Sequence, residues 1–169
     1  MNTKILALFL IPLLFAQVYV AVPVLAHRPT TFAVNAHMLL TGTTVYGSYT
    51  DSNGNYHEWG QYTLTYTGDM TATKTQYYYV IWYADGTMRL WGMGFYDVSA
   101  MTTPYGTLSG RFAISIYEAY DGVSLTSNGW ATVLYGTGGL RGLQGTGVFV
   151  WYMFGSYDQG DITYTLHFS

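Results

Sequence analysis

From Phe32 onward the chain alternates. Phe32, Val34, Ala36, Met38 and Leu40 recur at every second position, a period of two rather than 3.6, which marks a strand with one face buried. This first strand ends in the Thr/Gly-rich run Thr41 to Thr50 and the turn residues Asp51-Ser-Asn-Gly-Asn55. A second strand covers about 56–67, with Gly60, Tyr62, Leu64 and Tyr66 on one face and Trp59, Gln61, Thr63 and Thr65 on the other. Gly68-Asp69 turns it into a third, Met70 to about Tyr83, and Asp85-Gly86 is a hairpin signal leading to a fourth, Thr87 to Tyr96.

After a loop at Met101 to Gly106, Phe112, Ile114 and Ile116 alternate with Arg111, Ala113, Ser115 and Tyr117 in a fifth strand. Asp121-Gly122 closes a further hairpin. A sixth strand reaches about Tyr135, a seventh runs from Val148 to Phe154, and Ile162, Tyr164, Leu166 and Phe168 define an eighth. Between the sixth and seventh, Gly136 to Gly147 holds six glycines in twelve residues. Such a run cannot sustain a helix, so it predicts a bulged corner with Leu140 and Leu143 tucked under the sheet. It does not read as a phosphate cradle, because no Lys-Ser/Thr follows and no helix begins there. Eight evenly spaced strands joined by short turns predict an all-β fold, an eight-stranded antiparallel up-and-down barrel. Closure removes exposed edges and leaves an interior just wide enough for packed side chains or one small ligand.

The first 26 residues have a different pattern. Lys4 supplies a positive start, Ile5 to Ala16 is apolar, and Val24-Leu25-Ala26 offers a small-x-small cleavage site, which predicts a signal peptide at 1–26 and a barrel domain at 27–169. The protein is thus expected to be exported, to the exterior of the cell or its envelope. The apolar run is long enough to span a bilayer if it is not cleaved, and only then is a membrane partner expected; Pro12 and Pro23 disfavour a continuous helix there.

Composition narrows the field. Only 9% of the 169 residues are charged, the formal net charge is −3, and there are 18 tyrosines and 20 glycines. A nucleic-acid partner, which needs a basic patch, is therefore not expected. Cysteine is absent, which removes disulfides, thiol nucleophiles and thiolate metal sites. The histidines His27, His37, His57 and His167 include no His-x-His or His-x-x-x-His pair, so no metal site is expected, and no motif calls for a cofactor.

The order Tyr66-Thr-Gly-Asp69, Gly92-x-Gly-Phe95, Gly106-x-x-x-Gly-x-Phe112, the Gly136 to Gly147 corner and a closing Tyr164-x-Leu-x-Phe168 resembles the barrel shared by allene oxide cyclases, dirigent proteins and a related bacterial family of unknown function. The resemblance covers roughly residues 60–168. It implies an eight-stranded barrel, oligomeric in the plant members, with an apolar cavity that either orients a reactive intermediate or serves an unknown role. It carries no catalytic residue onto a numbered position of this chain.

Candidate site residues come from strand parity. Glu58 shares a face with Tyr62, Leu64 and Tyr66, Arg89 with Trp91, Met93 and Phe95, and Glu118 with Phe112, Ile114 and Ile116. If those faces point inward, Glu58, Arg89 and Glu118 gather at one barrel mouth, where they suit capture of a polar head group or acid/base work, or else simply reach water. The stretch Tyr77 to Tyr83, and the run from Val148 to Phe154, are apolar on both faces, which suits either packing of barrels into a homo-oligomer or a tyrosine-rich surface. Three functions stay open: a barrel binding a small apolar ligand or acting in interactions, a cofactor-free cyclase- or isomerase-like enzyme, and an eight-stranded outer-membrane barrel.

Overall fold

The computed structural model describes residues 31–154 and 157–169, so the expected signal peptide lies outside the described residues. Eight strands follow in chain order: β1 (Phe32–Thr50), β2 (Tyr56–Gly68), β3 (Met70–Trp82), β4 (Met88–Thr103), β5 (Gly106–Tyr120), β6 (Thr126–Gly136), β7 (Leu143–Phe154) and β8 (Tyr157–Phe168). Each pairs antiparallel with the next. β8 returns to β1, from Phe32 opposite Leu166 to Leu39 opposite Gln159, and the sheet closes into a ring. Among the described residues there is no α-helix, and the one short helical element is the 3-10 turn Gly138–Leu140.

Alternation decides which side chains fill the ring. Val34, Ala36 and Met38 of β1, Leu64 and Tyr66 of β2, and Ile162, Tyr164 and Leu166 of β8 all point in and are buried. The hairpin turns at 51–55, 83–87 and 121–125 crown one rim. At the other rim the glycine corner folds under the sheet, with Leu140 and Leu143 fully buried as a plug. Gly147 is needed there for space: a Cβ on it would sit 2.6 Å from the Tyr164 ring.

Several strand limits differ from the alternation: β4 runs on past Tyr96 to Thr103 and β5 starts at Gly106, so the loop expected at Met101 to Gly106 is a tight turn at the end of a paired ladder. Thr41 to Thr50 stays in β1, paired with β2 through bulges at Leu40/Gly42 and Val45/Gly47, although its side chains are mostly exposed. Alternation is lost there because the segment extends past β8 and has little core to face. Likewise β7 begins at Leu143, not Val148, because glycines extend as readily as they turn once a neighbour supplies ladder bonds.

The β1–β2 hairpin is tied down from outside the ring. His57 stacks on Tyr49 at 4.5 Å and 4°, its Nδ1 lies 2.7 Å from the Tyr79 hydroxyl, and its Nε2 lies 3.1 Å from Asp51 Oδ2. The Asp51 carboxylate can only accept, so Nε2 carries the proton facing it. Bonds from the Asn55 side chain and backbone, and then from His57, hold the Asp51 carboxyl well below the usual carboxylate range. His57→Ala is expected to destabilise the protein by about 1–2 kcal/mol, read as a lower denaturation midpoint with an unchanged slope.

Candidate functional site

The ring is not filled along its whole length. Above the aromatic base, toward the hairpin rim, it encloses a cavity of about 310 Å³. Its wall is largely apolar, with Leu64, Val80, Leu90, Ile116, Phe149 and Ile162 among the lining side chains, and Trp82 and Trp151 among its aromatic ones.

The base is a hydrogen-bonded aromatic floor. Tyr164 donates its hydroxyl proton to the Tyr96 oxygen at 2.7 Å, and Tyr96 donates to Tyr66 at 2.8 Å. Phe112 stacks on Tyr96 with ring centroids 4.4 Å apart. All three tyrosines are fully buried, and burial pushes their phenol pKa values well above the ordinary range.

Polar groups stand on this floor and its walls. Lys74 and Gln76 lie on the inward face of β3, 5% and 2% exposed, and both line the cavity. The Lys74 ammonium lies 5.3 Å from the Tyr96 ring centre and 5.9 Å from that of Tyr66. None of the ion pairs among the described residues engages it. Burial lowers its pKa from 10.5 to about 7, and the charge of Glu118 offsets part of that fall. Gln76 Oε1 is buried without a hydrogen-bond partner. Beside it β4 carries Gly92, where a Cβ would lie 3.3 Å from Gln76 Nε2, so the absent side chain leaves room for the amide.

Glu118 on β5 faces the same space, and Ser127 of β6 donates a hydrogen bond to it. Burial raises its carboxyl pKa; the Ser127 bond and then the Lys74 charge pull the other way, and Asp158 adds to the rise. Glu58 lines the cavity from β2, where its carboxylate accepts from Tyr78 at 2.7 Å and Tyr56 at 3.1 Å. Tyr78 in turn stacks on Tyr62 at 3.9 Å.

Of the three residues expected at the mouth, Glu58 and Glu118 line one cavity and Arg89 does not. On β4 the inward residues are Met88, Leu90, Gly92, Gly94 and Tyr96, so Arg89, Trp91, Met93 and Phe95 face outward. Arg89 donates to the Met88 carbonyl at 2.9 Å and lies near Asp85 of the adjoining turn. The cation in the cavity is instead Lys74, which alternation on β3 alone identifies once Tyr78 and Val80 are known to point in. Of the histidines, His37 meets Asp161 at 2.9 Å on the outside, and His27 lies outside the described residues. Among the described residues no three His, Asp or Glu side chains are grouped to hold a metal ion.

The same architecture occurs in a solved structure. The chain resembles a protein of unknown function from the DUF3224 family of Shewanella oneidensis, with a TM-score of 0.62 and 16% identity. The match covers 82% of this chain and 98% of that one, and at this identity it is a likeness of fold. No family model and no curated protein matches the chain.

Outside the ring, Tyr77, Trp91, Met93, Trp130 and Val148 are each at least two-fifths exposed. Half of each two-sided apolar segment is therefore accounted for by the interior, through the buried Tyr78 and the cavity-lining Val80 and Trp82, and through Phe149, Trp151 and Met153. The other half forms an aromatic outer shelf.

Proposed function

We propose that the barrel binds one small, mostly apolar molecule, inserted from the hairpin rim with an uncharged polar end turned toward Lys74, Gln76 and Glu118. The observation that carries this reading is the buried, unpartnered Oε1 of Gln76 on the wall of an apolar cavity of about 310 Å³. A buried acceptor that no protein group satisfies costs about 1–3 kcal/mol, which a ligand hydroxyl or amide hydrogen recovers. Pockets from roughly 300 Å³ upward with a few converging polar groups are the usual form of small-molecule sites. An uncharged end is favoured because Glu58, Glu118 and Asp158 all line the space against the single amine of Lys74. An anionic head group would meet three carboxyls.

Trp82 and Trp151 line the wall, so tryptophan emission reports occupancy. Cinnamyl alcohol is expected to change it saturably and to raise the thermal midpoint, by about 2.7 kcal/mol of linkage at a hundredfold excess over Kd. Gln76→Leu is expected to weaken binding roughly tenfold. Absence of any saturable change with cinnamyl alcohol, its aldehyde and the parent hydrocarbon would sink the reading.

A second reading follows from the resemblance to allene oxide cyclases and dirigent proteins: the cavity steers a reactive intermediate. Glu118 supports it, since burial favours its protonated form inside an apolar space. The leader pattern at 1–26 supports export, and the outer aromatic shelf supports self-association. A water-facing exterior, rather than an outer-membrane one, is supported by the apolar interior and by the His37–Asp161 and Arg111–Asp97 pairs outside, the reverse of a lipid-facing barrel.

A further inference from the structure

The chain has only two lysines, Lys4 in the expected leader and Lys74. A lysine normally reaches water, and its long stem allows it to do so even from a largely buried position. Lys74 does not: it is 5% exposed, no ion pair among the described residues engages it, and its surroundings are tyrosine rings and the cavity. An ammonium held this way has lost most of its hydration and gained only ring faces, whereas the free amine loses much less. Glu118, half-buried and bonded by Ser127, lines the same cavity, as does Gln76 with its unpaired oxygen.

An amine, a carboxyl group and an amide oxygen without a protein partner, brought together in one cavity, are the parts of imine chemistry. We infer that Lys74 captures the carbonyl carbon of an apolar aldehyde or ketone as a Schiff base, with Glu118 relaying the protons. The inference rests on the ligand-binding reading above and names the ligand's polar end. The neutral Lys74 nitrogen forms the C–N bond, and the carbonyl oxygen takes the proton of the Glu118 carboxyl. Glu118 then recovers a proton from the nitrogen and delivers it to the carbinolamine hydroxyl, which leaves as water when the C–O bond breaks; the protonated imine so formed gives its N–H proton back to the Glu118 carboxylate when it goes on to the neutral imine. One amine and one carbonyl become one imine and one water, with no oxidant or reductant. If the imine is protonated, its positive charge sits over the Tyr96 and Tyr66 faces, and its N–H has Gln76 Oε1 as a potential acceptor. The depressed amine pKa and raised carboxyl pKa agree with this geometry, since both groups are driven toward their uncharged forms.

A carboxylic acid paired with Lys74 is the competing ligand chemistry, and the cavity disfavours it. It would bury two full charges at the floor and set a fourth carboxylate among Glu58, Glu118 and Asp158.

The test uses the full chain with cinnamaldehyde and sodium cyanoborohydride at pH 7–9, followed by intact-mass and peptide mass spectrometry. The expected result is one reduced adduct on Lys74, formed roughly a hundredfold faster than on Lys4 or the terminal amine, and slowed roughly a hundredfold in Glu118→Gln. Lys74→Met and Lys74→Arg should lose that adduct while still unfolding cooperatively in urea. Binding of the alcohol with no adduct on Lys74, or adducts only on Lys4 or the terminus, overturns the inference and leaves the binding reading standing. If neither probe perturbs the tryptophans and no adduct forms, both fail.

Discussion

Lys74→Met is expected to make the protein more stable at pH 7, by about 4 kcal/mol. Methionine keeps the length and the packing over Tyr66 and Tyr96 and removes the group that burial penalises. The sign follows from proton binding. The Lys74 pKa is depressed on folding, from 10.5 to about 7, so between those values the unfolded chain holds a proton that the folded chain has released. The Lys74 contribution to stability must therefore rise with pH across that window, by about 1.4 kcal/mol per pH unit at most, and at pH 6 and below the full penalty is present. The groups facing the lysine are Glu118 from β5, Glu58 from β2, Asp158 from β8 and the tyrosines of the floor. The tyrosines act in the opposite sense only above about pH 10, where the unfolded phenols ionise and the buried ones do not. Urea melts at pH 6, 7, 8 and 9 check this: the gap between Lys74→Met and wild type should narrow by about 2 kcal/mol from pH 7 to 9, read as a difference because the raised Glu118 carboxyl, present in both proteins, lowers stability as pH rises. Parallel curves for the two proteins would show that the lysine is solvated in the fold. A residue that lowers stability and yet sits at the centre of a cavity is what a functional group in conflict with folding looks like.

Tyr96→Phe is expected to cost about 3 kcal/mol, which for a domain of this size lowers the thermal midpoint by roughly 10 °C. Tyr96 is the middle of the floor, accepting from Tyr164 and donating to Tyr66. Removing one oxygen leaves the Tyr164 proton without an acceptor and the Tyr66 oxygen without a donor, both in fully buried rings. The stack on Phe112 is untouched by the change, so the loss isolates the hydroxyl chain. Tyr135→Phe on the outer face, 53% exposed, is the control and should shift stability by under about 0.5 kcal/mol. A Tyr96→Phe protein as stable as that control would mean that water already satisfies the floor.

Most of the strand order was legible because inward apolar residues alternate cleanly in β1, β5 and β8, and the Asp-Gly hairpins mark their own turns. The mouth cluster was legible only in part, for a reason of parity. On β4 the bulky Trp91 and Phe95 look like core beside Gly92 and Gly94, yet the glycines face in, because Gln76 and Ile116 fill the space they leave. Register would have corrected this. Glu58 faces Val80 across the β2–β3 ladder and Val80 faces Leu90 across the next, so an inward Glu58 carries Leu90 inward with it and Arg89 outward. Lys74 went unread because β3 is apolar on both faces near Tyr77 to Tyr83, which hides its parity, and because a lone lysine reads by default as surface. The Asp51–His57–Tyr79 tie could not be read either, since His57 and Tyr79 are 22 residues apart and meet only through β2–β3 pairing.

Seven of the eight seams in the ring join neighbours in the sequence, and the eighth joins its two ends. Phe32 to Leu39 must find Gln159 to Leu166 across more than a hundred intervening residues, so that seam has the largest sequence separation and is expected to form last. Until it does, the chain is an open seven-hairpin meander with two bare edges and its tyrosine floor exposed to water. Folding speed and the yield of refolding are thus expected to depend on the terminal strands, and half-closed chains with bare edges are the species expected to aggregate.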